Sequence, residues 1–289
     1  YGIIGANGYI GRHIAHLLLR NKQTVQLYDK DELSLDNIEN YQKIDFNNPK
    51  SLFAIHEDID VLYFLSGLTG TDESFKQFKK FIEVNEVALL HLLNILKVRK
   101  SKTKIIFPST RLVYKGEKDT HLKENHIKEP KTIYAVNKIS CEQFLKIYKD
   151  CFDINYTIAR ICVPYGNLLD DAYSFGTIGY MLSKAKNGND ISIFGDGSQR
   201  RSFIHIEDLG NLLIALGDDS KTKGEIFNIG GPDAISILEV ATLIARKYNV
   251  IINHIKWPKL ALSIESGDTI FDSGKIETLF NYQYMYRIK

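Results

Sequence analysis

Two side chains four residues apart, Tyr134 and Lys138, stand in the run Tyr134-Ala135-Val136-Asn137-Lys138. On a helix that spacing puts them on one face. A tyrosine near its ordinary pKa of about 10 is a poor base at neutral pH. A cation beside it favours the phenolate. A phenolate so held can take a proton from a hydroxyl as hydride leaves the same carbon. Alone, the pattern is a frequent accident of amphipathic helices. Upstream, however, Ser109-Thr110 closes a strand-like run, Ile105 to Phe107. The carboxyl ends of strands are where ligands of open α/β sheets bind. A hydroxyl there could hydrogen-bond the reacting oxygen and hold it against the tyrosine.

Hydride needs an acceptor, and the start of the chain offers a place for one. Gly5-Ala6-Asn7-Gly8-Tyr9-Ile10-Gly11 lies between a strand and a helix, spaced GxxGxxG rather than GxGxxG. Glycines there permit a tight turn, close approach of backbone to a pyrophosphate, and close packing of helix on sheet. The helix start presents its N–H groups to phosphate. Asp29 follows 18 residues after Gly11, at the end of a second strand-like run. A carboxylate at that place accepts hydrogen bonds from ribose hydroxyls and repels a 2′-phosphate, which points to NAD rather than NADP.

The elements that must hold these groups alternate between strand and helix. Ile3-Ile4 stops at Gly5, and from Gly11 the positions Ile14, Leu17 and Leu18 recur at helical spacing. Thr24 to Tyr28 is a second strand, and Ile44 precedes Asp45-Phe46 at the tip of a third. Val61 to Leu65 is continuously apolar, as a strand buried on both faces should be. Ser74 to about Val98 reads as one long helix, Ile105 to Phe107 as a strand cut off by Pro108, Tyr134 to about Lys149 as a helix, and Tyr156 to Ile161 as a strand. This is an α/β pattern: a Rossmann-type, doubly wound parallel sheet over residues 1–163.

After Pro164 the rhythm changes to glycine-punctuated loops, a strand Ile191 to Phe194 and the turn Gly195-Asp196-Gly197. Glu207 to Leu216 looks helical and Phe227 to Ile229 extended, and Ser236 with Glu239 forms a capping box that opens a helix to about Tyr248. Residues 164–289 are expected to form a smaller mixed α/β lobe for the substrate, with about 203–230 returning to pack on the first domain.

Composition excludes several classes. With 289 residues, 44% hydrophobic and 25% charged, the chain can bury a sizeable core and is not disordered. A net charge of +2 gives no field for nucleic acid or acidic lipid. The one dense basic cluster, Lys97, Arg99, Lys100, Lys102 and Lys104, reads as surface cations at a helix C-terminus and a solvated loop. Cys141, Cys151 and Cys162 match no zinc spacing, so no metal is expected, and their sparseness fits the reducing cytoplasm. No apolar run reaches membrane-spanning length. The chain opens at Tyr1 in a strand, without a signal-peptide pattern or a starting Met, so a few preceding residues are expected.

Taken in order, GANGYIG, YD at 28–29, DF at 45–46, LSGL at 65–68, PSTRLVY at 108–114, YAVNK at 134–138, GDGSQRRSFIHIEDL at 195–209 and FNIGG at 227–231 resemble the extended short-chain dehydrogenase/reductases, specifically their NAD-dependent nucleotide-sugar epimerase/dehydratase group. The resemblance runs to about Lys275. It implies catalytic roles for Thr110, Tyr134 and Lys138. It implies that Gly5, Gly8, Tyr9, Ile10 and Gly11 meet the pyrophosphate of NAD, that Asp29 holds the adenosine ribose, and that Asp45 and Phe46 flank the adenine. Leu65, Ser66 and Gly67 would line the dinucleotide path, Asn85 would approach the cofactor, and Cys162 and Lys138 would lie on its nicotinamide side. Arg201 would clamp the substrate diphosphate, while His205 is left a structural role. Homodimerisation through a four-helix bundle and a place in polysaccharide biosynthesis are likewise implied.

Departures from the family pattern narrow the reaction. Where 4,6-dehydratases carry an Asp-Glu pair, this chain has Arg111 and Leu112, neither of which shuttles protons at neutral pH. Val163 replaces an Asn, and Glu265-Ser266-Gly267-Asp268 replaces an RxGD-like segment. Glu265 repels a diphosphate if it points inward; otherwise it faces solvent and a neighbouring Lys or Arg substitutes. The resulting expectation is a nucleoside-diphosphate-hexose 4-epimerase working through a transient 4-keto sugar. A 4-keto-sugar reductase and a non-catalytic NAD-binding scaffold are the alternatives.

Overall fold

A computed structural model describes residues 1–169 and 175–288. Residues 170–174, inside the lobe expected to hold the substrate, and residue 289 lie outside the described residues. Seven strands form the main sheet, in the order Ile226–Ile229, Asn155–Ile161, Lys104–Thr110, Val61–Phe64, Gly2–Ile4, Gln26–Asp29, Tyr41–Lys43. From Lys104–Thr110 to Tyr41–Lys43 every pairing is parallel. The chain winds outward from Gly2–Ile4 in one direction and then, from Val61–Phe64, in the other. That reversal opens a crevice at the carboxyl ends of these two strands. Gly5 and Leu65, the residues that follow them, stand at its mouth.

Val61–Phe64 is buried at all four positions, the consequence of cover on both faces. Leu89, Leu92, Leu93 and Leu96 of the helix Ala88–Val98 recur at helical spacing and join Ile4, Leu62, Phe64, Ile105, Phe107 and Leu145 in one core.

Three expectations change. The strand expected to end before Pro108 runs Lys104–Thr110. Its pairing with Val61–Phe64 registers only Lys104, Ile105 and Ile106, so the missing proline N–H falls beyond that ladder. The single long helix from Ser74 is instead Thr71–Lys76, Phe78–Ile82 and Ala88–Val98, with a π-helical turn at Glu83–Val87. Hydrophobic period alone does not register one extra residue per turn. Lastly, Lys104 is 3% exposed and no part of a surface cluster. Its ammonium donates to the carbonyls of Leu216 at 2.5 Å, Gly217 at 3.2 Å and Asp219 at 2.7 Å, and to Thr222 Oγ1 at 2.5 Å.

Contacts divide the chain into one unit of Tyr1–Val113, Thr132–Arg160 and Gly210–Phe227, and another of Tyr114–Lys131, Ile161–Leu209 and Asn228–Lys289. The second unit contains a three-stranded sheet of Asp233–Ser236, Arg200–His205 and Val163–Tyr165, and the two-stranded pairs Ile252–Ile255 with Ile191–Phe194 and Ile270–Phe271 with His121–Leu122. Ile178, Met181, Ile193, Phe203, Ile235 and Val240 are part of its core. The capping box at Ser236 and Glu239 opens the helix Ile237–Tyr248 as the sequence predicts. Toward the end of the chain, Tyr282 Oη at 2.9 Å, Met285 N at 3.0 Å and Tyr286 N at 3.2 Å all donate to the fully buried Asp208 carboxylate. Among the described residues no helix is long and apolar enough to cross a membrane, and no group of three or more His, Cys, Asp or Glu could hold a metal ion.

Candidate active site

The glycine loop turns directly off the first strand, with the N–H groups of Gly5 and Ala6 on the Tyr28 carbonyl at 2.9 and 3.2 Å. Gly5 has φ +83°, and a Cβ there would stand 2.6 Å from Ser66 N. Conformation and space both demand glycine. A Cβ on Gly11 would fall 2.2 Å from the Gly5 carbonyl, so the helix packs onto the loop. Gly8 caps the helix Tyr9–Arg20 without any side-chain bond, and its first turn, opened by Tyr9 and Ile10, carries no acid. The positive end of that helix is left to an anion.

Asp29 is buried and held by backbone: Lys30 N donates to Oδ1 at 2.7 Å and Asn7 N to Oδ2 at 2.9 Å. A carboxylate has about four acceptor sites, so two remain for a ribose diol. Asn7 is a residue that the sequence reasoning missed. Its Nδ2 donates to Asp31 Oδ2 at 3.3 Å and Leu33 O at 3.0 Å, and its Oδ1 accepts from Leu35 N at 3.0 Å. The phenol of Tyr41, which also touches Asn7, is pushed up to about 12 by desolvation and by the charges of Asp29, Asp31 and Glu32. Three carboxylates thus gather at this end of the loop. Asp45 is exposed and caps Asn47 N at 3.0 Å, and the Phe46 ring belongs to the core, edge-on to Phe64.

Leu65, Ser66 and Gly67 lead away from the glycine loop toward the π-helical turn. Asn85, within that turn, accepts from Leu68 N at 2.7 Å and donates to Leu68 O at 3.1 Å. A Cβ on Gly67 would lie 3.1 Å from Asn85 Oδ1 and 3.9 Å from Lys138 Nζ. The turn therefore pins the loop beside the helix Ile133–Phe152. Asn137 docks that helix by donating to the Glu86 carboxylate.

Side chains alternate at the end of a strand, and Ser109 and Thr110 have separate fates. Ser109 Oγ donates to Glu142 Oε1 at 2.5 Å, and Arg160 donates to the same carboxylate at 2.9 and 2.6 Å, all buried. Thr110 instead stands beside the phenol of Tyr134 and favours its ionised form. Thr132, the N-cap, accepts from Ala135 N at 3.1 Å and fixes Tyr134 in the first turn. Desolvation pushes the Tyr134 phenol up to about 12, against the Thr110 hydrogen bond and then the Arg111 charge, both of which favour ionisation.

Lys138 is 7% exposed, with Nζ 4.6 Å from the Phe107 ring centre and 5.9 Å from that of Tyr134. Desolvation pushes it down to about 8, opposed by Cys141 and Glu142. Among the described residues no oxygen accepts a hydrogen bond from it. A buried ammonium without an acceptor, an uncapped helix start and a backbone-held carboxylate suit a dinucleotide that brings hydroxyls and phosphates.

In the second unit Arg201 is 4% exposed. Its guanidinium donates to Gly267 O at 2.5 Å, to Arg200 O at 2.9 Å and to the Glu265 carboxylate. Glu265 therefore turns its carboxylate to a cation of this chain while staying partly exposed. Cys162 is buried, with its N–H on the Ile229 carbonyl at 3.1 Å. His205 stacks on Tyr286 at 3.7 Å and accepts from Glu207 N at 3.3 Å.

Residues 2–230 match the model of the NAD dependent epimerase/dehydratase family. A protein of Bacillus subtilis (strain 168), described as uncharacterized UDP-glucose epimerase YtcB, is 30% identical over 256 residues, 84% of this chain and 80% of its own. The structure of UDP-glucuronic acid 4-epimerase from Bacillus cereus, in complex with UDP-glucuronic acid and NAD, is 28% identical with a TM-score of 0.83, covering 99% of this chain and 94% of its own. The fold of Pal from Bacillus thuringiensis superimposes with a TM-score of 0.89 at 23% identity, again over 99% and 94% of the two chains.

Proposed function

Since the chain belongs to the NAD dependent epimerase/dehydratase family, we propose that it interconverts nucleoside-diphosphate hexoses epimeric at C4. One observation carries the reading: Thr110 stands beside the Tyr134 phenol and favours its ionised form, while the buried Lys138 ammonium, one helical turn on, has no oxygen acceptor among the described residues. In this reading bound NAD would supply a reversible hydride acceptor for C4, and the keto sugar would have to turn over between removal and return. Tyr134 takes the 4-hydroxyl proton and gives it back, Thr110 orients the reacting oxygen, and Lys138 holds a ribose hydroxyl and favours the phenolate. The glycine loop receives the pyrophosphate, Asp29 the adenosine ribose, and Arg201 the substrate diphosphate. Asp31 and Glu32, near Asp29, oppose a 2′-phosphate, against the reductase alternative.

The related Bacillus cereus structure contains UDP-glucuronic acid, which supports a uridine nucleotide. We further propose a homodimer built on the exposed apolar side chains Phe78, Ile82, Val136 and Ile147 of the helices flanking the site, and a cytoplasmic place in polysaccharide biosynthesis. The test is incubation of purified protein with NAD and a set of UDP-hexoses, followed by NMR of the anomeric and C4 protons. Appearance of the 4-epimer without consumption of cofactor is expected. Failure to turn over any nucleotide hexose refutes the reading.

A further inference from the structure

Arg201 and Glu265 are unequal partners. The arginine side chain is 5% exposed and the glutamate 23%. Arg201 is fixed by two carbonyls besides the carboxylate, Gly267 O and Arg200 O. Three of its five donors are thereby used. Glu265 sits just past the short helix Lys259–Ile264 and, among the described residues, its carboxylate holds Gly267 N, at 3.0 Å from Oε1, besides Arg201. Apart from that Gly267 N–H, the backbone around it is held by other groups. Lys131 Nζ donates to Glu265 O at 3.0 Å, Glu117 N to Asp268 O at 3.1 Å, and Arg200 N to Asp268 Oδ1 at 2.8 Å. A Cβ on Gly116 would stand 2.0 Å from Ser266 O, so the segment is also tightly packed. What can move is the Glu265 side chain, by rotation toward solvent.

A guanidinium in bond with a carboxylate presents little net charge to an approaching anion. A phosphoryl group that takes the Nη2 donor of Arg201 must displace Glu265, whose oxygens match phosphate oxygens in charge and hydrogen-bond geometry. We infer that Glu265 is a built-in competitor for the substrate diphosphate, and that it sets the affinity of this chain for nucleoside diphosphates. The inference rests on the reading of Arg201 as the diphosphate anchor.

The test is calorimetric titration of the NAD-loaded protein with UDP, and with uridine as a neutral control, for the wild type, Glu265→Gln, Arg201→Gln and the double variant. Glutamine keeps the shape and one acceptor oxygen but removes the charge. UDP affinity is expected to rise about tenfold in Glu265→Gln, uridine affinity to stay level, and the gain to vanish when Arg201→Gln is added. The same factor should appear in the KM for the nucleotide sugar rather than in kcat. Equal or weaker UDP binding by a folded Glu265→Gln protein overturns the inference, as does a gain that survives Arg201→Gln. A wild type that turns over a nucleotide hexose while Glu265→Gln binds UDP no tighter sinks only this inference. Absence of turnover in the wild type sinks the epimerase reading instead.

Discussion

The two ends of the strand Lys104–Thr110 each bury an ammonium, and the two are built oppositely. At its start, Lys104 is ringed by the carbonyls of Leu216, Gly217 and Asp219 and by the Thr222 hydroxyl. Toward its end, Lys138 lies over Phe107 with no oxygen acceptor among the described residues. Burial pushes both down to about 8; only Lys104 has the acceptors that favour its charged form. A saturated cation glues strand to helix, whereas an unsaturated one keeps its donors available. In a parallel sheet the second kind belongs at the carboxyl end, where loops gather and binding occurs.

The sharpest way to break this contrast is Tyr134→Phe, which removes the proton acceptor and keeps the ring. Turnover should fall by about 10²–10⁴-fold, with the melting temperature barely changed. Activity near that of the wild type would mean that the carboxyl end is not the reacting end.

Lys138→Met should cost activity nearly as much, on the order of 10²-fold, yet it should not destabilise the apoprotein at pH 7.5. Its pH signature has a definite sign. An unfolded lysine keeps its proton to about pH 10.4, and the folded Lys138 loses it near 8. Between these values the unfolded chain binds more protons, so folding stability from this residue rises with pH. Urea denaturation of the apoprotein at pH 7.5 and 9.5 should show the wild type gaining about 2 kcal/mol relative to Lys138→Met. No relative gain would mean that Lys138 stays charged inside the fold.

Lys104→Met should behave in the opposite manner. It strands buried carbonyls without their donor and should lower stability by about 2–4 kcal/mol, with kcat per folded molecule close to the wild-type value. Smallest of all is Ser109→Ala. Although Ser109 adjoins Thr110, its hydroxyl is committed to Glu142. Stability should drop by about 1 kcal/mol and turnover should move less than about threefold, whereas a loss comparable to a general acid–base effect would reassign the hydroxyl role from Thr110.

Much of this was legible in the chain because the signals are local. The glycine loop, the strand ends and the Tyr134–Lys138 spacing each lie within a few residues, and backbone geometry converts such spacing directly into placement. Partners far along the chain left no such trace. Lys104 looked like a member of a basic surface run because its acceptors lie more than a hundred residues downstream. The π-helical turn at Glu83–Val87 carries the bonds of Asn85 to Leu68, a long-range pairing that no local periodicity marks. Ser109 and Thr110 are chemically near-equivalent, and only the buried Glu142–Arg160 pair, 18 residues apart in sequence, tells them apart. The identity of Glu265 announced a departure, but not that its carboxylate would meet Arg201.

The gathering of Tyr282, Met285 and Tyr286 around Asp208 bears on how this polypeptide tolerates trimming. Cleavage before Tyr282 would leave a desolvated anion with its donors gone, and the damage would enter the lobe at the root of the helix Ile206–Asp218. A proteolytic nick in this segment should therefore register as thermal weakening rather than as harmless wear.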